Sequence, residues 1–432
     1  MTLHAGTGAA RPVRRRNDAV VWSMAAVVFW AATGYLGVLM FNAVPRIAAF
    51  DLDLLVGAGR AIAAGQGPYD PALLRGVAPD AVDLFYSYPP LVGQVLVPFA
   101  GLPLGAIAIA WAAIAVTLLA VVVVRIGALV APGLSGRTVG AATVAVAAMT
   151  FPLLVAVLFG NLDAFFPALY GFALLAVLSP RRRDGVIGGA AVAIAALTKV
   201  YPAGLGLWFV VRAARARSVA DRRRLALPLA AAAVTGAGLV VVSVVAFGPS
   251  PWLDYATVAS TAARAEIVDH RNAAPAAQVA LWLGWTSDAA RLLHLPVVAL
   301  ALVAIVGAAW RVEDPVESLA LAATASLFLL PISWIHYPPA LLPFVAAAVL
   351  RAHAREGPAG AALRQRVWVL AGGALLAGAL AVAWMPSLWV AIGLALAAVH
   401  VSQRAELAET RRPSLGDTSP ADRAQTPRGS TR

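Results

Sequence analysis

The stretch that decides the fold lies at residues 91–124 and reads LVGQVLVPFAGLPLGAIAIAWAAIAVTLLAVVVV, without a charged side chain. At about 1.5 Å of rise per residue, a straight helix of this length would exceed the roughly 30 Å hydrocarbon core of a bilayer. Either the stretch crosses twice, or one crossing follows a piece that does not cross. Pro98 and Pro103 favour the second layout, because proline interrupts the hydrogen bonding of a helix.

Further apolar runs follow one another from residue 20 to about residue 401, and 61% of the chain is hydrophobic. Only 12% of the residues are charged, against about 25% in a soluble globular domain. This composition excludes a single soluble core, a disordered chain and a coiled coil, and the absence of cysteine excludes a disulfide scaffold. We therefore predict an all-α polytopic membrane protein. The runs predict about twelve crossings, near residues 20–43, 91–124, 138–158, 164–179, 186–199, 201–211, 225–247, 293–310, 316–332, 337–350, 367–385 and 387–401.

Basic residues outnumber acidic ones by 33 to 21, which gives a formal net charge of +12. The arginines form short clusters between apolar runs, so they indicate positive-inside topology rather than binding to nucleic acid. With one crossing in 91–124, most of these clusters lie in the cytoplasm. We expect a multi-pass protein of the inner (plasma) membrane, with a cytoplasmic basic N-terminus at 1–19, a transmembrane domain at 20–402 and a disordered cytoplasmic tail at 403–432.

This layout leaves two long segments on the outer side, at residues 44–87 and 248–292. Loops of this length inside a compact domain are usually functional. Leu54–Ala64 is apolar and ends at a Gly-Gln-Gly-Pro sequence, which predicts a short helix lying on the membrane surface. The runs at 186–199 and 201–211 are short for full crossings and indicate a broken or re-entrant pair.

The sequence contains no glycine-rich phosphate loop, nucleophile elbow or His-Glu-x-x-His pattern. Isolated polar residues remain at the predicted outer ends of the crossings. Asp51 and Asp53 follow the first crossing, and a carboxylate in apolar surroundings is a candidate general base. In a helix only one of the two would face a given site, whereas in an extended segment both would share a face. The alternative is a pair of solvated loop charges.

Lys199 is the only lysine of the chain, which uses arginine for every other basic residue. This choice favours a compact point charge that holds a phosphate, although a lysine near a helix end can also extend its ammonium to the interface. His336 lies between Trp and Tyr residues, a pattern typical either of an aromatic belt or of a cavity mouth where a histidine binds a phosphate or a sugar.

Two further groups of residues each have two possible interpretations. Asn161 and Asp163 separate two predicted crossings, where they either belong to a site or cap the next helix through Asp163. Phe85–Pro90, with Tyr86 and Tyr88, forms either another aromatic belt with a turn or part of a sugar site.

Several of these segments together resemble the polyprenol-phosphate-mannose-dependent mannosyltransferases of glycosyltransferase family 87. The first group is Asp51-Leu-Asp-Leu-Leu55, Gly65-Gln-Gly-Pro-Tyr-Asp70 and Tyr86-Ser-Tyr-Pro-Pro90. Shorter matches are Gly160-Asn-Leu-Asp163, Thr198-Lys-Val-Tyr-Pro202 and Ser333-Trp-Ile-His-Tyr337. The resemblance extends over roughly residues 20–400.

The resemblance implies a catalytic domain of GT-C fold, a bundle of about a dozen helices with its active site on the extracytoplasmic side. It implies transfer of mannose, with inversion, from polyprenyl-phosphate-mannose to a glycolipid acceptor of the phosphatidylinositol mannoside or lipomannan type, through an α-linkage that we expect to be α-1,2. It assigns the catalytic base to Asp51 and the donor phosphate to Lys199 and His336. Weaker candidates for substrate binding are Asp53, Tyr86, Tyr88, Asn161, Asp163, Tyr201 and Trp334.

No metal or cofactor is expected, since phosphate is a competent leaving group, although Asp51-Leu-Asp53 also resembles the metal-binding motif of nucleotide-sugar enzymes. The partners we expect are the lipid-linked donor, the glycolipid acceptor and membrane lipids. Within the same enzyme class, transfer of arabinofuranose or another sugar stays open. From another class, a lipid or sugar transporter would use Asp163 and Lys199 as intramembrane switches. A non-catalytic scaffold would tolerate replacement of Asp51, Lys199 and His336.

Overall fold

The computed structural model describes residues 15–43, 48–79 and 85–410, and these form eighteen α-helices, three short 3₁₀ helices and no strand. The helices are α1 Arg15–Ala43, α2 Phe50–Ala63, α3 Pro71–Leu74, α4 Pro90–Leu96, α5 Leu104–Val130, α6 Gly136–Met149, α7 Phe151–Phe159, α8 Phe166–Leu178, α9 Arg182–Thr198, α10 Ala203–Arg215, α11 Val219–Phe247, α12 Ser250–Ala262, α13 Pro275–Leu283, α14 Ser287–Arg311, α15 Pro315–Ser326, α16 Leu342–Ala354, α17 Gly357–Leu380 and α18 Ser387–Thr410. The 3₁₀ helices are Val97–Phe99, Leu162–Ala164 and Pro338–Leu341.

Five of the described helices are long and apolar enough to cross a membrane: α1, α5, α11, α14 and α18. The number rises to six if the bent pair α6 and α7 forms one crossing. The prediction of a helical, membrane-embedded protein is therefore confirmed, and the twelve crossings are not. Three further apolar helices of the described chain are too short: Pro90–Phe99, Phe166–Leu178 and Pro338–Ala354, the last of which includes α16.

The structure corrects several predicted crossings at points where the chain bends or stops being helical. The run 138–158 is two helices at 80° to each other, and Pro152 lies in the first turn of the second one. The run 316–332 is helical only to Ser326. In the deciding stretch, α5 begins at Leu104, directly after Pro103, and only this part is long enough for a crossing, in agreement with the single-crossing layout.

A helix, α2, is present where the membrane-surface helix is predicted, but it begins at Phe50 rather than Leu54 and so includes both candidate carboxylates. The short pair around Pro202 is also present, as α9 and α10 separated by residues 199–202. Helix α18 continues to Thr410 and includes the first residues of the predicted tail. The remainder of that tail, residues 411–432, lies outside the described residues, as do residues 1–14 of the basic N-terminus.

The main core is built around α8, whose residues are almost all buried, and it contains Tyr170, Trp208 and Phe344. Helix α9 lies between α8 and α11. Its Gly188 permits this close packing, since a Cβ atom there would lie 2.6 Å from the Phe172 carbonyl oxygen. Helix α11, in contrast, buries only Pro228 and Ser243, as expected of a helix that faces lipid.

A second, smaller core lies between α2, α4 and the start of α5, and it includes Leu52, Leu55 and Val56. The two predicted outer segments meet beside it. The Thr261 hydroxyl of α12 donates a hydrogen bond to the Leu73 carbonyl of α3 at 3.0 Å. The same part of the molecule therefore contains α2, α3 and α12.

Candidate active site

Helix α2 presents one of the two candidate carboxylates to the interior. Its first residues are held by a hydrogen bond of 2.7 Å from the Ala49 amide to the Leu158 carbonyl of α7. The Asp51 side chain is partly exposed and accepts a hydrogen bond of 2.7 Å from Asn161 Nδ2. The Asp53 side chain is 61% exposed and lies 3.8 Å from Arg60. The helical alternative is therefore correct, and only Asp51 belongs to the cluster.

Asn161 and Asp163 enter the site through the turn that ends α7. Gly160 terminates this helix with a positive φ of 67°, a conformation that glycine adopts without strain. The Asn161 side-chain oxygen Oδ1 then accepts a hydrogen bond from the Asp163 backbone amide at 2.9 Å. The alternative in which Asp163 caps the next helix is wrong, because the N-cap of α8 is Phe165, without a side-chain cap. The Asp163 carboxylate turns instead into the cluster.

Lys199 follows the last residue of α9 and forms a buried ion pair. Its Nζ lies 2.6 Å from Asp163 Oδ2 and 3.4 Å from Asn161 Oδ1. Lys199 is 8% exposed and Asp163 is 1% exposed, so the alternative of a lysine extending to the interface is wrong. The Tyr201 hydroxyl donates to the other oxygen of Asp163 at 3.1 Å.

This ion pair is charged, although it is buried. Burial alone would raise the pKa of Asp163. The Lys199 ammonium and His336 together lower it by more than burial raises it, so the pKa of Asp163 lies below its ordinary value. Burial likewise lowers the pKa of Lys199, and Asp163 raises it to well above its ordinary value. Both residues lie outside the helices long enough to cross the membrane. Each charge is therefore maintained by its partner.

His336 approaches the same carboxylate from the segment before the 3₁₀ helix Pro338–Leu341. Its Nε2 lies 3.2 Å from Asp163 Oδ2, and the residue is 6% exposed, so it is not part of an exposed aromatic belt. Within the part of the chain that the structure describes, Nδ1 of His336 has no hydrogen-bond partner. Such a buried, unpaired nitrogen is available to a ligand.

The weaker candidates divide into two groups. Tyr88 lies beside the ion pair, with Lys199 Nζ 5.7 Å from the centre of its ring. Tyr86 has a structural role, because its hydroxyl donates to the Pro89 carbonyl at 2.9 Å and accepts from the Gly93 amide at 2.8 Å. Trp334 packs against the main core.

Sequence reasoning did not name Tyr337 as a site residue and noted it only as an aromatic neighbour of His336. Lys199 Nζ lies 4.6 Å from the centre of its ring, and that ring stacks on Tyr201 at 4.9 Å. Burial is the largest influence on its hydroxyl and raises the pKa of Tyr337 to about 12. Its position directly after His336 was the available signal.

A large apolar groove is bordered by the Pro338–Leu341 helix. It has a volume of about 380 Å³ and is lined by residues of α1, α5, α6, α16, α17 and α18. Pro338 and Leu341 form part of its wall, and Asp18 and His353 are also among its lining residues. In the sequence, the helix that borders the groove therefore follows directly after the segment that carries His336.

A scan against protein families matches residues 86–334, more than half of the chain, to glycosyltransferase family 87. The chain belongs to glycosyltransferase family 87. It is therefore a glycosyltransferase. No curated protein and no solved structure matches it.

The region matched to family 87 contains Asn161, Asp163 and Lys199 but neither Asp51 nor His336. These two residues join the cluster only in the folded chain, Asp51 through Asn161 and His336 through Asp163. A family 87 enzyme must remove a proton from the acceptor hydroxyl and stabilise charge on the leaving group. The cluster has a partly exposed carboxylate at one end, and a lysine and a histidine at the other.

Proposed function

We propose that this family 87 enzyme transfers mannose from polyprenyl-phosphate-mannose to a glycolipid acceptor, with inversion, on the extracytoplasmic side of the plasma membrane. The linkage that we expect is α-1,2, and the acceptor is of the phosphatidylinositol mannoside or lipomannan type. The observation that carries the proposal is the hydrogen bond from Asn161 to Asp51, because it joins a partly exposed carboxylate to the buried Lys199–Asp163 pair.

In the proposed reaction, Asp51 accepts the proton of the acceptor hydroxyl as that oxygen attacks the anomeric carbon. A new carbon–oxygen bond forms, and the bond from the anomeric carbon to the phosphate oxygen breaks. The bonding electrons leave with the polyprenyl monophosphate. Hydrogen bonding from Asn161 orients the Asp51 carboxylate for this role.

Lys199 and His336 are the residues proposed to bind the departing phosphate. A cation and a hydrogen-bond donor aimed at the growing negative charge lower the barrier of such a step. The unpaired Nδ1 of His336 supports this assignment. Asp163 touches both residues and is proposed to orient them rather than to take the proton.

The rest of the proposed donor site holds the polyprenyl chain. A polyprenyl chain requires an apolar surface between helices that leads to the phosphate, and the groove of about 380 Å³ has such a lining. Its wall at Pro338 comes two residues after His336 in the chain, which supports an approach of the lipid from this side.

Two alternatives from the sequence remain to be weighed. Membership of family 87 favours an enzyme over a transporter. A different sugar on the same carrier, such as arabinofuranose, uses the same base and the same phosphate contacts. The choice of sugar is therefore decided by the donor assay and not by the cluster.

The first test measures transfer of labelled mannose from polyprenyl-phosphate-mannose to membrane lipids by the purified protein in proteoliposomes. We expect Asp51→Asn to reduce the rate about 100-fold or more, which is the usual contribution of a general base. Asp53→Asn is the matched control, since Asp53 lies on the same helix but its side chain is exposed beside Arg60.

Undiminished transfer by Asp51→Asn would overturn the proposed mechanism. Equal losses in both variants would show that the negative charge of α2, and not one base, is required. If the wild-type protein transfers arabinofuranose but not mannose, the donor assignment is wrong and the role of Asp51 is tested with that donor.

A further inference from the structure

The segment that carries His336 has little regular structure of its own. Helix α15 ends at Ser326, and the next helical residue is Pro338. The His336 ring lies near Asp163, but neither of its nitrogens makes a hydrogen bond of good geometry within the described part of the chain. Besides the contact with Asp163, the position of the ring therefore depends on the backbone that carries it.

Asn272, in the outer segment between α12 and α13, is hydrogen-bonded to this backbone. Its Nδ2 donates to the Pro331 carbonyl at 3.0 Å, and its Oδ1 accepts from the Ser333 amide at 2.9 Å. The next residue adds a third bond, since the Ala273 amide donates to the Ser333 carbonyl at 2.6 Å.

The same side chain is also tied to its own segment. Nδ2 of Asn272 donates to the Ile267 carbonyl at 2.9 Å, and Oδ1 accepts from the Ala274 amide at 3.0 Å. The amide side chain thus makes two donor and two acceptor bonds, which is its expected capacity with one bond to each hydrogen and lone pair. Asn272 is 1% exposed, so loss of these bonds leaves buried backbone groups without partners.

Two small apolar clusters lie on either side of these hydrogen bonds. Ile332 packs against a cluster that contains Ile267. Ile335 packs against another that contains Ala273 and Leu388. The residues on both sides of Ser333 are therefore held against the outer segment by side-chain contacts as well as by Asn272.

We infer that Asn272 is a positioning residue, through which the outer segment fixes the backbone of residues 331–335 and so holds His336 beside Asp163. Asn272 has no part in the chemistry itself. The consequence for catalysis rests on the proposed role of His336 as a phosphate ligand, whereas the consequence for the position of His336 does not.

The direct test measures how fast diethyl pyrocarbonate modifies His336 in the full-length protein in detergent or proteoliposomes, with the modified peptide identified by mass spectrometry. In the wild type we expect slow modification, because His336 is buried. Asn272→Ala should raise the rate at His336 severalfold and leave the rate at the exposed His270 unchanged. Arg271→Ala, at the adjacent position, is the matched control, since its guanidinium pairs with Asp269 at the surface.

If Asn272→Ala cannot be purified in folded form, Asn272→Ser serves in its place. A serine hydroxyl has one hydrogen to donate and can replace at most one of the two donated bonds, so we expect a smaller increase at His336 than with alanine. Unchanged modification of His336 in a folded Asn272 variant would overturn the inference, whatever the activity of that variant.

A kinetic test then separates positioning from general destabilisation. Asn272→Ala should lower kcat about 10- to 100-fold, the size of effect that misplacement of a reacting group produces. The double variant with His336→Ala should be no slower than His336→Ala alone, because the two residues act through one contact. Additive losses would contradict this coupling. A raised modification rate with unchanged kcat would support Asn272 as the residue that positions His336, and would refute the role of His336 as a phosphate ligand.

Discussion

Lys199 is the residue for which sequence reasoning and structure supply complementary information. Its uniqueness among 33 basic residues marks it as a candidate, and the structure shows which partner it has. A charged pair buried to this degree is expensive to desolvate, so removal of one partner costs more than removal of both. Removing one residue of the pair and removing both should therefore have different effects on stability, although both changes should abolish activity.

We predict that Lys199→Met lowers the free energy of unfolding by about 3–5 kcal/mol, because it leaves the Asp163 carboxylate buried without its cation. The double variant Lys199→Met with Asp163→Leu should recover much of this stability and remain inactive. Thermal unfolding of the purified variants, together with the transfer assay, measures both quantities. Equal stability of the single and double variants would contradict the prediction.

The same comparison has an expected pH dependence. A lowered pKa for Asp163 gives stability that is present above its ordinary value of 3.8 and is lost as the pH falls through the lowered value. A raised pKa for Lys199 gives stability that is present below its ordinary value of 10.5 and is lost as the pH rises through the raised value. Between about pH 5 and about pH 9 the titration of this pair should therefore leave the stability of the wild type unchanged. In Lys199→Met the cation that lowers the pKa of Asp163 is absent and burial raises that pKa, so the stability difference from the wild type should be largest near pH 9 and should shrink as the pH falls. A difference that grows as the pH falls would show that the pair is not ionised as described.

At the scale of elements, the contact between α2 and the end of α7 determines whether Asp51 meets Asn161. Gly160 ends α7, and a Cβ atom there would collide with the Cβ of Leu52, next to Asp51 in α2. Glycine is needed at this position both for its positive φ and for the close approach of the two helices.

We predict that Gly160→Ala destabilises the protein by about 1–3 kcal/mol and reduces transfer, since it separates α2 from the turn that carries Asn161. Gly65→Ala is the matched control, because Gly65 also has a positive φ, of 75°, but a Cβ atom there meets nothing within 4 Å. The control should lose stability through backbone strain alone and keep its activity. Similar losses of activity in both variants, measured by rate and by thermal unfolding, would exclude a specific role for the contact between Gly160 and Leu52.

At the scale of the whole molecule, the elements around the cluster come from both predicted outer segments. Helices α2 and α3 belong to the first, and α12 and α13 belong to the second. If the arginine clusters are cytoplasmic, all four helices lie on the opposite side of the membrane. The topology of the chain therefore decides which sugar donors can reach Asp51.

The chain has no cysteine, so single cysteines can be introduced without further changes. We predict that a membrane-impermeant maleimide labels Ser260→Cys in intact cells and labels Arg217→Cys only after the membrane is permeabilised. Both positions are exposed, and the lysed sample controls for accessibility. Labelling of Arg217→Cys alone in intact cells would invert the layout and would place the site on the side of cytoplasmic sugar donors.

The sequence predicted most of the residues of the cluster. It identified Asp51, Asn161, Asp163, Lys199 and His336, and the structure brings all five together. It left the conformation of residues 51–53 open, and it did not name Tyr337 as a site residue. Helix-forming tendency is local, whereas the packing of Tyr337 on Tyr201 depends on residues more than a hundred positions apart.

The sequence by itself determined that this is a helical membrane protein, because composition and run length decide whether a chain can be solvated by lipid. It also identified the polar residues of the candidate site, since charged groups are rare in such a chain. Only the tertiary structure decided which helices are long enough to cross, because a run of apolar residues does not reveal a bend such as the one of 80° at Thr150. Only packing decided that Asp51 and not Asp53 faces the cluster, and that Asn272 holds the segment of His336, since both depend on contacts between residues distant in the chain.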